Sequence, residues 1–331
     1  MTSLAIIGGG IAGRSLIYTL AKEQKGYQKI TLFHSETFTK PCSLNSTAIV
    51  APRGLTRGHS PLGDLLLESF EEFSDHIETS HPEGVTKIVQ YTGARDNLET
   101  FRNRYPHTTL MKELFKVDTF VSRDEAFLIT PEIYNEWLLT EAKLLLGDKL
   151  EVINDFVIEV TQDTGVKLKT QNGAVFEYDK LVVAAGSYNR FWNGQSELKK
   201  LKTIKTVQGS FLEFDNVDLL RPSFSLTYEG DNLIWNAHHR RLLIGSTSKE
   251  VGHELSCEVL LLDIYKRISE VVSFPLPPFP LGHIKVGLRE KAQKRMPYFE
   301  ADGNIIFLGG YYKNGYSLAL KMARSLSHQH L

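Results

Sequence analysis

Three glycines near the amino terminus are spaced for phosphate chemistry. They read Gly8-x-Gly10-x-x-Gly13 and are entered directly from the apolar run Leu4-Ala5-Ile6-Ile7. At this spacing the first glycine permits a tight turn and the second lets backbone amides approach a pyrophosphate. The third lets a helix pack closely on a strand. The anion would rest on free N–H groups at the positive end of a helix dipole. Alone, the motif leaves open which dinucleotide is held and what chemistry it serves.

The elements needed to position such a turn are legible on both sides of it. Downstream, Leu16, Ile17, Leu20 and Ala21 recur at helical spacing, with Gly26 as the expected stop. Lys29 to Phe33 then reads as a second strand, completing a β-α-β unit. Residues 61–79 carry leucine and phenylalanine at three- and four-residue spacing and predict a helix. A second is predicted from Pro131, with Glu132 in its first turn and Gly147 as its stop. Between them, residues 85–129 break into short strand-like and helical pieces. Alternating runs from Val157 are separated by turns at Asp163-Thr164-Gly165 and Asn172-Gly173. The run Leu181-Val182-Val183-Ala184-Ala185 loses the alternation, as a strand buried on both faces does. Residues 200–250 predict a mostly antiparallel sheet, followed by a helix from Cys257. The chain closes with a strand over Asn304–Leu308, a Gly309-Gly310 turn and a last helix.

These patterns predict a mixed α/β (α+β) fold, a Rossmann-type domain with an inserted β-rich domain. The nucleotide-binding part is expected to be discontinuous, over residues 1–80, 130–198 and 284–331. Residues 81–129 and 199–283 would form the substrate, or cap, domain. Net charge is −1 over 331 residues, which argues against nucleic acid or an anionic membrane as partner. The clusters Lys199-Lys200-Leu201-Lys202 and His238-His239-Arg240-Arg241 read as solvated surface. Two cysteines, Cys42 and Cys257, supply neither a disulfide framework nor a metal site. No apolar run approaches the ~20 residues of a membrane span, and the first residues read as a strand rather than a leader. A cytoplasmic location is the expectation, with oligomeric state left open.

Four segments together resemble the FAD-dependent family of D-amino acid oxidase, sarcosine oxidase and glycine oxidase. They are GGGIAG near the start, DKLVVAAGSY in the middle, VGLRE at 286–290 and LGGYYKNGYSLAL near the end. The resemblance implies non-covalent FAD and oxidation of the C–N bond of a small amine or amino acid. Hydride would pass to flavin N5, and the imine would then hydrolyse. It implies that Ala185 and Gly186 cross near the FAD, with Ser187 able to donate a hydrogen bond. Residues 43–50 would lie along the flavin ring. The turn at Asn314-Gly315 would aim a helix amino end at the ring, where positive dipole stabilises charge developing on reduction. The same resemblance extends the cofactor set to Ile11, Ala12, Ser43, Ser46, Thr47, Val157, Gly287, Gly310, Tyr316 and Ser317. Arg289 would hold the substrate carboxylate in a two-pronged contact and also lie near the cofactor.

The sequence departs from that pattern in places. The second strand of this fold usually ends in a carboxylate that binds ribose; here His34 stands there, with Glu36 two residues on. A substrate-contacting tyrosine of glycine oxidase falls near Leu233, and the oxygen-activating lysine of sarcosine oxidase near Leu243. Tyr228, Trp235, Tyr311 and Tyr312 are the aromatics that could compensate, with Tyr311 and Tyr228 carried as substrate-site candidates. No cysteine lies in Leu288–Pro297, so the covalent flavin link of sarcosine oxidases is not expected. Two other readings stay open, a flavin domain that trims a modified wobble uridine in tRNA and a flavin-binding protein without catalysis.

Overall fold

A computed structural model describes residues 2–35, 42–52, 54–94, 98–192, 201–250 and 257–331. The apolar runs form a six-stranded sheet. Its order is β18 (Tyr298–Asp302), β19 (Ile305–Gly309), β11 (Lys180–Val183), β1 (Ser3–Ile7), β2 (Lys29–His34) and β7 (Leu150–Asn154). All pairings are parallel except that of β18 with β19. One face packs Leu4, Ile6, Val182 and Leu308 against four helices, α1 (Ile11–Lys22), α2 (Pro61–Ser80), α4 (Pro131–Leu146) and α6 (Gly315–His330). The other face sets Ala5, Ile7, Phe33 and Val183 on a small antiparallel sheet of β8 (Val157–Gln162), β9 (Val166–Thr170) and β10 (Val175–Tyr178). Burial on both faces explains why these central strands lack polar alternation.

A larger curled sheet runs β16 (Lys249–Glu250), β12 (Lys205–Phe214), β15 (Arg241–Gly245), β14 (Asp231–Asn236), β13 (Phe224–Tyr228), β4 (Val85–Ala94), β6 (Thr119–Ile129), β3 (Ile49–Val50). β17 (His283–Lys291) pairs with β12, and β5 (Thr108–Met111), which follows the short helix α3 (Leu98–Arg104), pairs with β6. Strand alternation divides this sheet into two faces. Leu212, Leu226, Leu233 and Ile244 pack against α5 (Cys257–Val271). Phe211, Ile234 and Leu243 point the other way.

Three details differ from the sequence reading. α1 ends at Lys22, before Gly26, because Gln24 takes a left-handed φ of 52° and Lys25 N–H closes back on Leu20 O at 3.1 Å. Within the antiparallel stretch, β13 also pairs in parallel with β4. Ile49–Val50 and His283–Lys291, most of which was grouped with the nucleotide-binding part, are hydrogen-bonded into the larger sheet.

Candidate active site

A cavity of about 560 Å³ opens beyond the carboxyl ends of β1, β2, β11 and β19, where α/β sheets bind ligands. Gly8 forms its floor with φ +119°. A Cβ there would stand 2.7 Å from the Ala184 carbonyl carbon, so no side chain fits. Gly13 lies under the turn, where a Cβ would strike the Gly8 carbonyl oxygen; it packs α1 on β1 and does not line the cavity. Gly10, Ile11 and Ala12 do line it. Gly10 caps α1 without a side-chain hydrogen bond, and the first turn holds no acidic residue. Ser43 Oγ accepts from Ile11 N–H at 3.2 Å, tying the 42–50 segment to this helix start.

The remaining expected cofactor residues come from separate elements. His34 lines the cavity at the end of β2, its Nδ1 2.7 Å from where a Gly9 Cβ would be. Glu36 lies outside the described residues. Ser46 and Thr47 line the wall, as do Val157, Ala185, Gly186, Ser187 and Gly287. Ala185 N–H donates to Asn189 Oδ1 at 2.9 Å, which fixes the crossing after β11. At the far end Gly315, Tyr316 and Ser317 open α6 onto the cavity, and again no side chain caps the helix and no acid sits in its first turn. Leu318 N–H closes on Asn314 O at 2.9 Å, so the three amides before it lie ahead of the helix's own bonding. Tyr316 OH donates to Ser43 O at 3.0 Å and accepts from Asn135 Nδ2 at 2.7 Å, bracing the two helix starts. Asn314 and Gly310 shape this turn from behind and do not line the cavity.

Arg289 enters from β17. Its guanidinium lies over Gly209, where any Cβ would strike it. Its hydrogen bonds go to neutral oxygens, Thr247 O at 3.3 Å and Ser246 Oγ at 3.4 Å. Among the described residues no carboxylate pairs with it, and burial pulls its pKa below the usual guanidinium value. A buried cation with unspent donors is a receptor for an anion. Tyr311 also lines the cavity, and its buried hydroxyl has no partner among the described residues. Tyr312 stands at the rim with its hydroxyl 2.6 Å from Ser248 Oγ. Lys291, Arg295 and Lys313 lie 5.7–5.9 Å from its ring.

Tyr228 is not brought to the cavity. Alternation along β13 turns Thr227 toward it and Tyr228 into the α5-side core, on Phe115 at 6.1 Å. Trp235 and Leu233 point into that core as well. The strand positions facing the site are Asn232 and Ile234, so position 233 could not present a tyrosine to a ligand. Leu243 does face the site side, packed with Ile234.

Sequence reasoning also passed over Glu290. Its carboxyl is buried and accepts from Tyr298 OH at 2.6 Å, Gly310 N–H at 2.8 Å and Asn189 Nδ2 at 3.2 Å. Burial pushes it up to about 7 from an ordinary 4.5, against the pull of those donors. It lines the cavity and clamps the Gly309-Gly310 turn that forms part of its wall. No local motif marks it, since its partners lie up to 101 residues away.

The sequence matches the family model described as FAD dependent oxidoreductase, DAO, over residues 3–329. The chain belongs to that family. No curated protein matches it in sequence. Among solved structures, glycine oxidase from Geobacillus kaustophilus superposes with a TM-score of 0.77 at 17% identity, covering 99% of this chain and 94% of that one. Iminodiacetate oxidase from Chelativorans sp. BNC1 gives 0.75 at 14% identity, covering 98% and 94%. L-alpha-glycerophosphate oxidase from Mycoplasma pneumoniae, with FAD bound, gives 0.75 at 16%, covering 99% and 94%. At such identities the likeness concerns the fold.

FAD is the cofactor of the DAO family, and the cavity of this member suits it on its own terms. Two helix starts, α1 and α6, open onto one cavity with no side-chain hydrogen bond from their own N-cap residues and no acid in the first turn. Each suits a negative group, a pyrophosphate at one and an electron-rich ring at the other. Among the described residues no three His, Cys, Asp or Glu side chains cluster to hold a metal, and no helix is long and apolar enough to cross a membrane.

Proposed function

We propose that the protein oxidises the C–N bond of a small amine that carries a carboxylate. The observation behind this reading is Arg289, a buried guanidinium facing the cavity with neutral oxygens as its hydrogen-bond partners. A two-pronged carboxylate contact would use its planar fork and offset its desolvation. Gly8, Gly10 and the start of α1 would hold the pyrophosphate, with His34 beside the ribose. The 43–50 segment and the start of α6 would hold the flavin. When bound, FAD supplies a hydride acceptor.

The chain's own contribution is orientation and field. Arg289 fixes one end of the substrate, which converts a loose encounter into a defined approach. Arg289 and Lys313 put positive charge on the cavity lining, which favours the neutral amine over the ammonium form. The α6 amides stabilise negative charge at the ring. Tyr311 offers a hydroxyl in the same space. Glu290 lines the cavity with its carboxyl engaged by Tyr298, Gly310 and Asn189, and its part is to hold the turn. Cys42 lines the cavity, but burial pushes its thiol pKa up and makes it a poor nucleophile, in keeping with non-covalent flavin. Both cysteines are free, as suits the cytoplasm.

The test is anaerobic addition of glycine, sarcosine and D-amino acids to the purified flavoprotein, with carboxylate-free amines as controls. Bleaching of the visible flavin band by the carboxylate-bearing amines is the expected result. Equal bleaching by the controls, or none by either set, would overturn the proposal.

A further inference from the structure

The larger sheet presents a second polar feature to the cavity, apart from Arg289. Thr227 and Asn232 line it from β13 and β14, as register partners. Behind them Gln90, fully buried on β4, donates from Nε2 to Thr227 Oγ1 at 3.2 Å. A hydroxyl that accepts from Gln90 has its own proton to give, and Thr227 gives it to Asn232 Oδ1 at 2.8 Å. The relay therefore fixes the amide of Asn232. Its oxygen is engaged, and its Nδ2 has no partner among the described residues.

The position of this donor relative to Arg289 follows from strand pairing. The guanidinium touches Ser246, the residue after Gly245, and Gly245 is the register partner of Asn232. With the guanidinium seated over Gly209 on β12, Asn232 on β14 is two strands over, roughly 10 Å, and Thr227 on β13 three strands over, roughly 15 Å. The Asn232 amide and the relay that holds it are uncharged, and an N–H donor of this kind suits a neutral carbonyl acceptor.

We infer that Asn232 is a specificity-determining residue whose side-chain N–H receives a carbonyl or carboxamide oxygen at the end of the substrate remote from its carboxylate. This deepens the amine-oxidase reading and rests on Arg289 as the carboxylate anchor. It points to a preference for amino acids with a short amide- or carbonyl-bearing side chain over glycine.

The experiment measures equilibrium binding of three unreactive carboxylates to the holoenzyme by calorimetry: succinamate, its apolar isostere 4-methylpentanoate, and 4-aminobutyrate. Succinamate should bind roughly tenfold more tightly than the isostere, the worth of one hydrogen bond. Asn232→Leu should erase the difference, and Asn232→Asp should shift preference to 4-aminobutyrate. Equal binding of the three by the unaltered protein overturns the inference, as does a uniform loss of all three in both variants. If Arg289→Met leaves all three affinities intact, the anchor reading fails instead. Because none of the probes is oxidised, these outcomes are independent of whether the corresponding amino acids reduce the flavin.

Discussion

Replacing Arg289 by methionine should make the protein more stable and a far worse receptor for carboxylates. The guanidinium is taken out of water with hydrogen bonds of 3.3 and 3.4 Å to neutral oxygens and no carboxylate among the described residues. A methionine of similar length removes that desolvation and keeps the packing over Gly209, worth roughly 1–2 kcal/mol. The same change deletes two charge-assisted hydrogen bonds to a bound carboxylate, at ~1.5–3 kcal/mol each. Affinity should fall roughly 10²- to 10⁴-fold. Urea unfolding with saturating FAD gives the first quantity, and titration with a simple carboxylate gives the second. Arg289→Lys should fall between the two, since it keeps charge and loses the fork. If methionine costs stability and leaves carboxylate affinity unchanged, Arg289 is a structural strut and not a receptor.

Other expected outcomes test the supporting structure. Glu290 holds its proton more tightly folded, at about 7, than unfolded, near 4.5, so the folded state binds more protons between these values. Its contribution favours folding most below the lower value and declines by roughly 3 kcal/mol as pH rises through the upper one. Glu290→Gln should flatten that part of the urea-derived stability profile, and an unchanged slope would contradict the burial argument. His76 works in the opposite sense. Packed on Tyr18, Phe73 and Trp137, it is held down to about 4 by burial, so stability is lost as pH falls from 6.5 toward 4, by roughly 3 kcal/mol. His76→Phe should remove that acid sensitivity, read by melting between pH 4 and 7. At the nucleotide turn, Gly13→Ala drives a Cβ into the Gly8 carbonyl oxygen and should release the flavin on gel filtration while distant hydrogen exchange is retained. Full flavin retention would mean that the turn does not carry the cofactor.

Much of the nucleotide half was legible because its signals are local. Leu4 to Ile7 announces a strand buried on both faces, and Gly8 and Gly13 sit where geometry excludes any side chain. The α6 start was legible for the same reason. The substrate half was harder, because its information lies in register between distant strands. Tyr228 is chemically apt, yet a period of two turns it away and presents the plainer Thr227. Glu290 and the Gln90–Thr227–Asn232 relay join residues 101 and 137 positions apart, which no window along the chain reveals. Arg289 was read through resemblance to a family; its lack of a carboxylate partner is a property of the folded chain alone.

The central claim is that this cavity joins a flavin to a carboxylate-bearing amine. A single anaerobic turnover, with limiting amino acid added to the holoenzyme, measures it most directly. The account predicts one flavin reduced for each molecule of amine consumed, with one equivalent of carbonyl product and one of ammonia or the smaller amine released. Flavin that stays oxidised while the amino acid is recovered intact would contradict it.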